Sequence, residues 1–306
     1  MRTDVHQHLL PEDLVSALSR RSRAPRIARN TLQIAGEPPS PLDLTDHDPA
    51  TRTTHDNLDR IVIALSSALG IEGLPPDEAE PLLDAFNKGV LELGAPVALW
   101  GAVGIDTPRP EAVDDLLDAG AVGVSLPAAA LADRRGLRHV GPLLDRLEAR
   151  GATLFVHPGP APWRSAAAAE RSTPPWWPAL TTYVADMSAA WHAFAAWGRP
   201  CHPQLRVVYA MLAGGAPLHA ERLLARSGPG EAIHDPLAWF DVSSYGPLTL
   251  DAMIRMVGVD RLLLGSDRPV AAPPALGALG DAVEHALTVS NPAWALAARV
   301  PVPVLA

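Results

Sequence analysis

The chain has 306 residues, 48% of them apolar and 19% charged, with a formal net charge of −9. That apolar content builds a large core and excludes wholesale disorder. The acidic balance, with Arg20, Arg21 and Arg23 as the one local basic cluster, excludes a nucleic-acid surface, which needs concentrated positive charge.

Cys201 is the only cysteine, so an intrachain disulfide is excluded and nothing points to an oxidising compartment. There is no basic segment followed by an apolar run at the start and no stretch near 18 uninterrupted apolar residues, so a cytoplasmic protein with no membrane partner is expected. The length suits one domain over 1–306, because a (β/α)₈ barrel commonly runs to about 250 residues or more.

In chain order, "TDVHQHL" (3–9) reads as a first strand. A polar, Pro-rich stretch follows from about Ser19 to Asp56, in which "NTLQIAG" and "SPLDLTD" flank Glu37, Pro38 and Pro39 and read as a small hairpin. "RIVIALS" (60–66) is a continuously apolar, β-branched run followed by a helical segment at 76–93. Strand 96–106 is followed by helix 110–120, and strand 121–127 by helix 137–151. "TLFVHPG" (153–159) leads into a Trp- and Pro-rich insertion and then helix 181–198. Strands at 204–215, 238–246 and 261–269 precede helices at 217–228, 247–259 and about 275–287, with a last helical turn near 291–299. Eight strands that are apolar on both faces and alternate with helices predict an α/β fold, a (β/α)₈ TIM barrel with a hairpin lid after strand 1 and a lid insertion after strand 5. An open doubly wound sheet is disfavoured because no G-x-G-x-x-G follows an early strand.

In such a barrel the chemistry sits at the C-terminal strand ends. The polar residues there are His6 and His8, Asp106, Ser125, His157, Ser243 and Ser244, and Asp267, with Met211 on strand 6. Chance gives roughly 0.4 His-x-His pairs for 11 His in 306 residues, so the pair alone says little. On a strand, however, residues i and i+2 share a face, which turns His6 and His8 into a chelating pair. With His157 and Asp267 they form a donor set suited to Zn²⁺ or another divalent first-row ion, Mn²⁺ included. Such an ion would activate water, and Asp267 could both ligate and accept a proton. The other reading of these histidines is that they are buried and bonded to backbone.

"DVHQHL", "LFVHPG", "GGAPLHAERL" and "LLLGSDRP" together resemble the amidohydrolase superfamily, in particular its amidohydrolase-related branch, which includes aminocarboxymuconate-semialdehyde decarboxylase. The resemblance spans Asp4 to about Ala297. It implies a metal-dependent barrel with His6, His8, His157 and Asp267 as ligands. Two departures stand out. The superfamily's bridging carboxylated lysine has no counterpart, because strand 4 ends in "GVSLP" and the only lysine, Lys88, lies in a helix. The strand-6 histidine, which resembles the family's acid/base, is replaced by Met211, and a thioether carries no proton at neutral pH.

His219, just inside the following helix, is the nearest substitute catalytic group, beside Asp267. For substrate contacts, Trp163, Arg164, Trp176 and Trp177 in the loop after strand 5 could wall a pocket, and Arg52 and Arg268 could hold a carboxylate. His47, His55, His139, His192, His202, His234 and His285 are assigned to structure or solvent. The leading expectation is a hydrolase that uses metal-activated water on a small carboxylated molecule. The alternatives are a non-oxidative decarboxylase on the same scaffold, which Met211 disfavours, and a non-catalytic ligand-binding relative. Relatives of this type are often dimers, so a homodimer is an expectation.

Overall fold

The computed structural model describes residues 1–52, 57–164 and 173–297. His55, the middle of the Trp- and Pro-rich insertion and the end of the last expected helical turn lie outside them. Eight parallel strands form the barrel in the order β1 (Thr3–Gln7), β5 (Arg60–Ile63), β6 (Val97–Ala102), β7 (Gly123–Pro127), β8 (Thr153–His157), β9 (Arg206–Tyr209), β10 (Ala238–Asp241) and β11 (Leu262–Leu263). The ring closes between its first and last members. Val5 N donates to Leu264 O at 2.8 Å, Asp267 N to His6 O at 2.9 Å and His8 N to Arg268 O at 2.7 Å.

The outer helices follow from their sequences. Those at Pro76–Leu91, Pro110–Asp118 and Pro247–Val257 each start with proline, which lacks an N–H that the first turn would leave unpaired. In Arg134–Ala149 the Asp133 side chain accepts from Gly136 N, and Leu137, Val140, Leu144 and Leu147 recur on the buried face. Among the described residues no helix is long and apolar enough to cross a membrane.

The hairpin expected around Glu37 forms and gains a strand. β2 (Arg26–Ala28), β3 (Thr31–Gln33) and β4 (Ser40–Pro41) make an antiparallel sheet beside the barrel. The strand expected over 204–215 stops at Tyr209. From Met211 to Gly215 the chain runs through five residues with φ between 41° and 76°, a left-handed run that costs non-glycine residues about 1–2 kcal/mol each.

Inside the barrel, the Trp100 and Phe155 rings stack at 5.1 Å and the Trp100 indole donates to Val5 O at 2.8 Å. Their packing requires a glycine beside them. A Cβ at Gly123 would lie 2.1 Å from Thr153 O and 2.6 Å from the Trp100 ring. Gly123→Ala is therefore expected to cost about 1–3 kcal/mol, as overpacking does. The check is a lowered urea midpoint at unchanged slope, and an unshifted midpoint would show that this layer is loose.

Candidate metal centre

Strand β1 and the residue just past its end bring His6 and His8 to the barrel mouth, β8 brings His157, and the turn after β11 brings Asp267. Asp267 sits at φ 59°, a left-handed conformation that Asp tolerates better than most residues. Its N–H is held by His6 O. The four donor atoms lie within 4.8 Å of one another, and all but the Asp267 carboxylate are nearly inaccessible to solvent. His8 Nε2 is 3.1 Å from His6 Nε2, 3.2 Å from His157 Nε2 and 3.0 Å from Asp267 Oδ1.

The opposite ring nitrogens decide what these contacts mean. His6 Nδ1 lies 2.8 Å from Asp241 Oδ2, His8 Nδ1 2.8 Å from Ala64 O, and His157 Nδ1 2.8 Å from Pro158 O. Each oxygen accepts, so each Nδ1 carries a proton and, in the neutral ring, each Nε2 presents a lone pair. Three lone pairs and a carboxylate thus crowd together, and one proton on His8 could satisfy only one of its three neighbours. A single cation satisfies all of them. Donors about 2.1 Å from one ion would be roughly 3.0 Å apart at right angles and 3.4 Å apart at the tetrahedral angle. The contacts around His8, from 3.0 to 3.2 Å, are of the size that donors to one ion would have.

The surrounding charges favour a cation. Burial alone would lower the His6 pKa, but the charge and hydrogen bond of Asp241, with the charges of Asp267 and Asp4, outweigh it and raise the imidazole to about 9. Burial would likewise raise Asp267, but the His8 hydrogen bond and the charges of His6 and His8 hold it below the usual carboxylate value. Burial and the neighbouring His8 and His6 keep His157 well below its usual pKa, as a neutral ring with its lone pair free.

Asp241 and Asp4 are the supports that sequence reasoning passed over. Asp241 ends β10 and accepts from His6 Nδ1 on one oxygen and from Met211 N, Ser243 N and Ser243 Oγ on the other. Asp4 accepts from His6 N, Ser266 N and the Gln7 amide, tying β1 to the turn that carries Asp267. The acid closing the apolar run "AWFD" was the available signal, but the expected strand extended to the serines beyond it. Ser243 serves Asp241, whereas Ser244 and Asp106 are exposed. Ser125 is buried in the barrel wall.

The other expected site residues are not among the four donors. His219 is exposed and close enough to His192 that its charge, after burial, helps to lower the His192 pKa. Trp163 packs edge-on against His139 at 4.4 Å, and Arg164 pairs with Asp186 at 3.1 Å. Trp176 is half exposed, with its ring 5.7 Å from that of Trp177. Arg52 is buried and donates to Gln7 Oε1, His8 O and Asp46 O, supporting β1 from behind. With Arg268 it borders a cavity of about 560 Å³ that none of the four donors lines. Lys88 lies on an exposed helix face and pairs with Glu92 at 3.7 Å.

Glu72 is a further buried acid near the centre. It accepts from Ser67 Oγ, and Ser67 N lies 3.3 Å from His157 Nδ1. Burial pushes the Glu72 carboxyl up to about 7 against the Ser67 hydrogen bond. A raised folded-state pKa gives stability that is present below the ordinary value of 4.5 and is lost as pH rises through about 7.

No protein-family model and no curated protein sequence matches the chain. Solved structures match over nearly its whole length. A 5-carboxyvanillate decarboxylase from Sphingomonas paucimobilis has a TM-score of 0.74 at 14% identity, covering 97% of this chain and 99% of that one. A protein described as amidohydrolase II has a TM-score of 0.71 at 18% identity, with 97% and 99% covered. A 5-carboxyvanillate decarboxylase from Novosphingobium aromaticivorans, complexed with manganese and 4-hydroxy-3-methoxy-5-nitrobenzoic acid, has a TM-score of 0.64 at 13% identity, with 88% and 86% covered.

Two outcomes test this centre. Asp241→Asn keeps one acceptor oxygen but can turn an amide N–H toward His6 Nδ1, moving the ring proton to Nε2. Metal affinity should fall about 10–100-fold with the fold retained, read by competition with a chromophoric chelator, and unchanged affinity would remove Asp241 from the account. Glu72→Gln should abolish up to about 3 kcal/mol of stability difference between pH 5 and pH 8, measured by urea unfolding at both. Parallel pH dependence in the two proteins would contradict the assignment. The chain has the TIM-barrel fold that these amidohydrolase and decarboxylase structures share.

Proposed function

We propose that the chain is a metal-dependent, non-oxidative decarboxylase of small carboxylated aromatic acids, its ion held by His6, His8, His157 and Asp267. The observation that carries this reading is the convergence of three imidazole Nε2 atoms and one carboxylate oxygen on one point at the barrel mouth. The decarboxylases sharing the fold support the reaction type, and the one complexed with manganese supports Mn²⁺ beside the expected Zn²⁺. When bound, the ion supplies an electrophilic anchor for the oxygens of an acidic substrate.

The chain's own residues do the rest. Asp241, Ala64 O and Pro158 O fix the three rings before any substrate arrives, so little is spent on reorganisation. Asp267, with 17% of its side chain accessible against 5% or less for His6 and His8, is the donor that faces an incoming molecule. Its lowered pKa keeps it ionised, able to accept a proton from a phenol or a water. Phe155, edge-on to His6 at 5.0 Å, and Trp100 behind it make an apolar floor that strengthens charge interactions above it.

Hydrolysis is the second reading, favoured by Met211, since attack by water needs no proton on carbon. Incubation of the manganese- or zinc-loaded protein with a panel of carboxylated phenols, 5-carboxyvanillate among them, separates the two. The decarboxylase reading expects carbon dioxide release without oxygen or a nicotinamide, abolished by chelation and in His6→Ala. Turnover of lactones or esters with no carbon dioxide from any carboxylated phenol would replace it with the hydrolase.

A further inference from the structure

A decarboxylation must place a proton on the carbon that loses its carboxylate. Met211, where the resembling family has an imidazole, cannot supply one, and His219 is exposed beside His192. The geometry points to Tyr183, backed by Glu37, as the pair that delivers this proton, an inference that rests on the decarboxylase reading.

Tyr183 is the second residue of helix Thr182–Ala193, and Glu37 lies between β3 and β4. The Tyr183 hydroxyl donates to Glu37 Oε1, so the hairpin insertion meets helix Thr182–Ala193 at this bond. The start of the helix lies directly on the left-handed turn that begins at Met211. A Cβ on Gly214 would be 2.5 Å from Val184 O and 3.2 Å from Val184 Cα. The backbone that carries Tyr183 and Val184 therefore runs beside the segment from which the imidazole is missing. It also feels Asp267, whose negative charge, after burial and Glu37, helps to hold the phenol proton in place. Burial keeps the Glu37 carboxyl above the usual range, against the Tyr183 hydrogen bond. Asp186, one turn further along the helix, is engaged by Arg164.

The step balances without a further reagent. The ring–carboxylate bond breaks and carbon dioxide leaves, with the electron pair remaining on the ring carbon. That carbon takes the Tyr183 proton, and the Glu37 carboxylate then takes a proton from solvent water and passes it to Tyr183 as product leaves, which restores the hydroxyl that donates to Glu37.

Two variants of the metal-loaded protein separate proton delivery from a lid latch. Tyr183→Phe removes the proton and the hydrogen bond. Glu37→Gln keeps an acceptor for Tyr183 but holds no proton to pass on. Both should lower kcat by about 10²–10⁴-fold, while metal content and the calorimetric Kd for 4-hydroxy-3-methoxy-5-nitrobenzoic acid stay at wild-type values. Wild-type kcat in either variant, or a loss confined to Kd, overturns the assignment. If the wild type releases no carbon dioxide, the decarboxylase reading fails by itself, and the pair is judged by deuterium exchange into the ring of vanillate in heavy water. Exchange by the wild type that both variants lose upholds it, and exchange that is absent or equal in all three overturns it.

Discussion

The structure is organised around a repulsion that only positive charge relieves. His8 Nε2 stands a hydrogen-bond length from both His6 Nε2 and His157 Nε2, with the Nδ1 protons of the three rings already committed to Ala64 O, Asp241 and Pro158 O. None can rotate away without leaving a buried N–H unpaired, which costs about 1–3 kcal/mol per group. The carboxylates of Asp4, Asp241 and Asp267 set the sign of the field, and together they raise the His6 pKa against the effect of burial. A divalent ion answers the same field with more charge and satisfies all four donors together.

The barrel makes this crowding affordable. Strand β1 and the residue after it carry two of the donors, and their pairing with the turn after β11 closes the ring while placing Asp267 against them. Asp4 locks that junction from below and Arg52 braces β1 from behind. The left-handed run from Met211 belongs to the same design, because Asp241 accepts from Met211 N on one oxygen and orients His6 with the other. Turn conformation and ligand orientation are therefore coupled through one carboxylate, and local backbone strain collects beside the site, as it does in many functional centres.

Much of this was legible in the residue order. The eight apolar runs each hold a barrel strand, although the last three strands are much shorter than expected, and the i, i+2 spacing of His6 and His8 located the centre once the strand was recognised. His157 and Asp267 followed from their places at strand ends. What escaped were groups whose roles depend on contacts between distant segments. Asp241 looked like an interior strand residue because the ladder ends two residues before the serines chosen instead. Arg52 reads as a loop cation, yet its donors are taken up by Gln7 and backbone carbonyls. Glu37 and Tyr183, 146 positions apart, carry no pattern that links them, and only the meeting of the hairpin with helix Thr182–Ala193 does.

The central claim is that one cation completes a ring of four donors, and anomalous diffraction at the manganese edge from a manganese-loaded crystal tests it most directly. The account expects a single peak bonded to the Nε2 atoms of His6, His8 and His157 and to Asp267, at about 2.0–2.3 Å. A peak elsewhere, or density showing the three rings turned to bond one another with no ion between them, would contradict it.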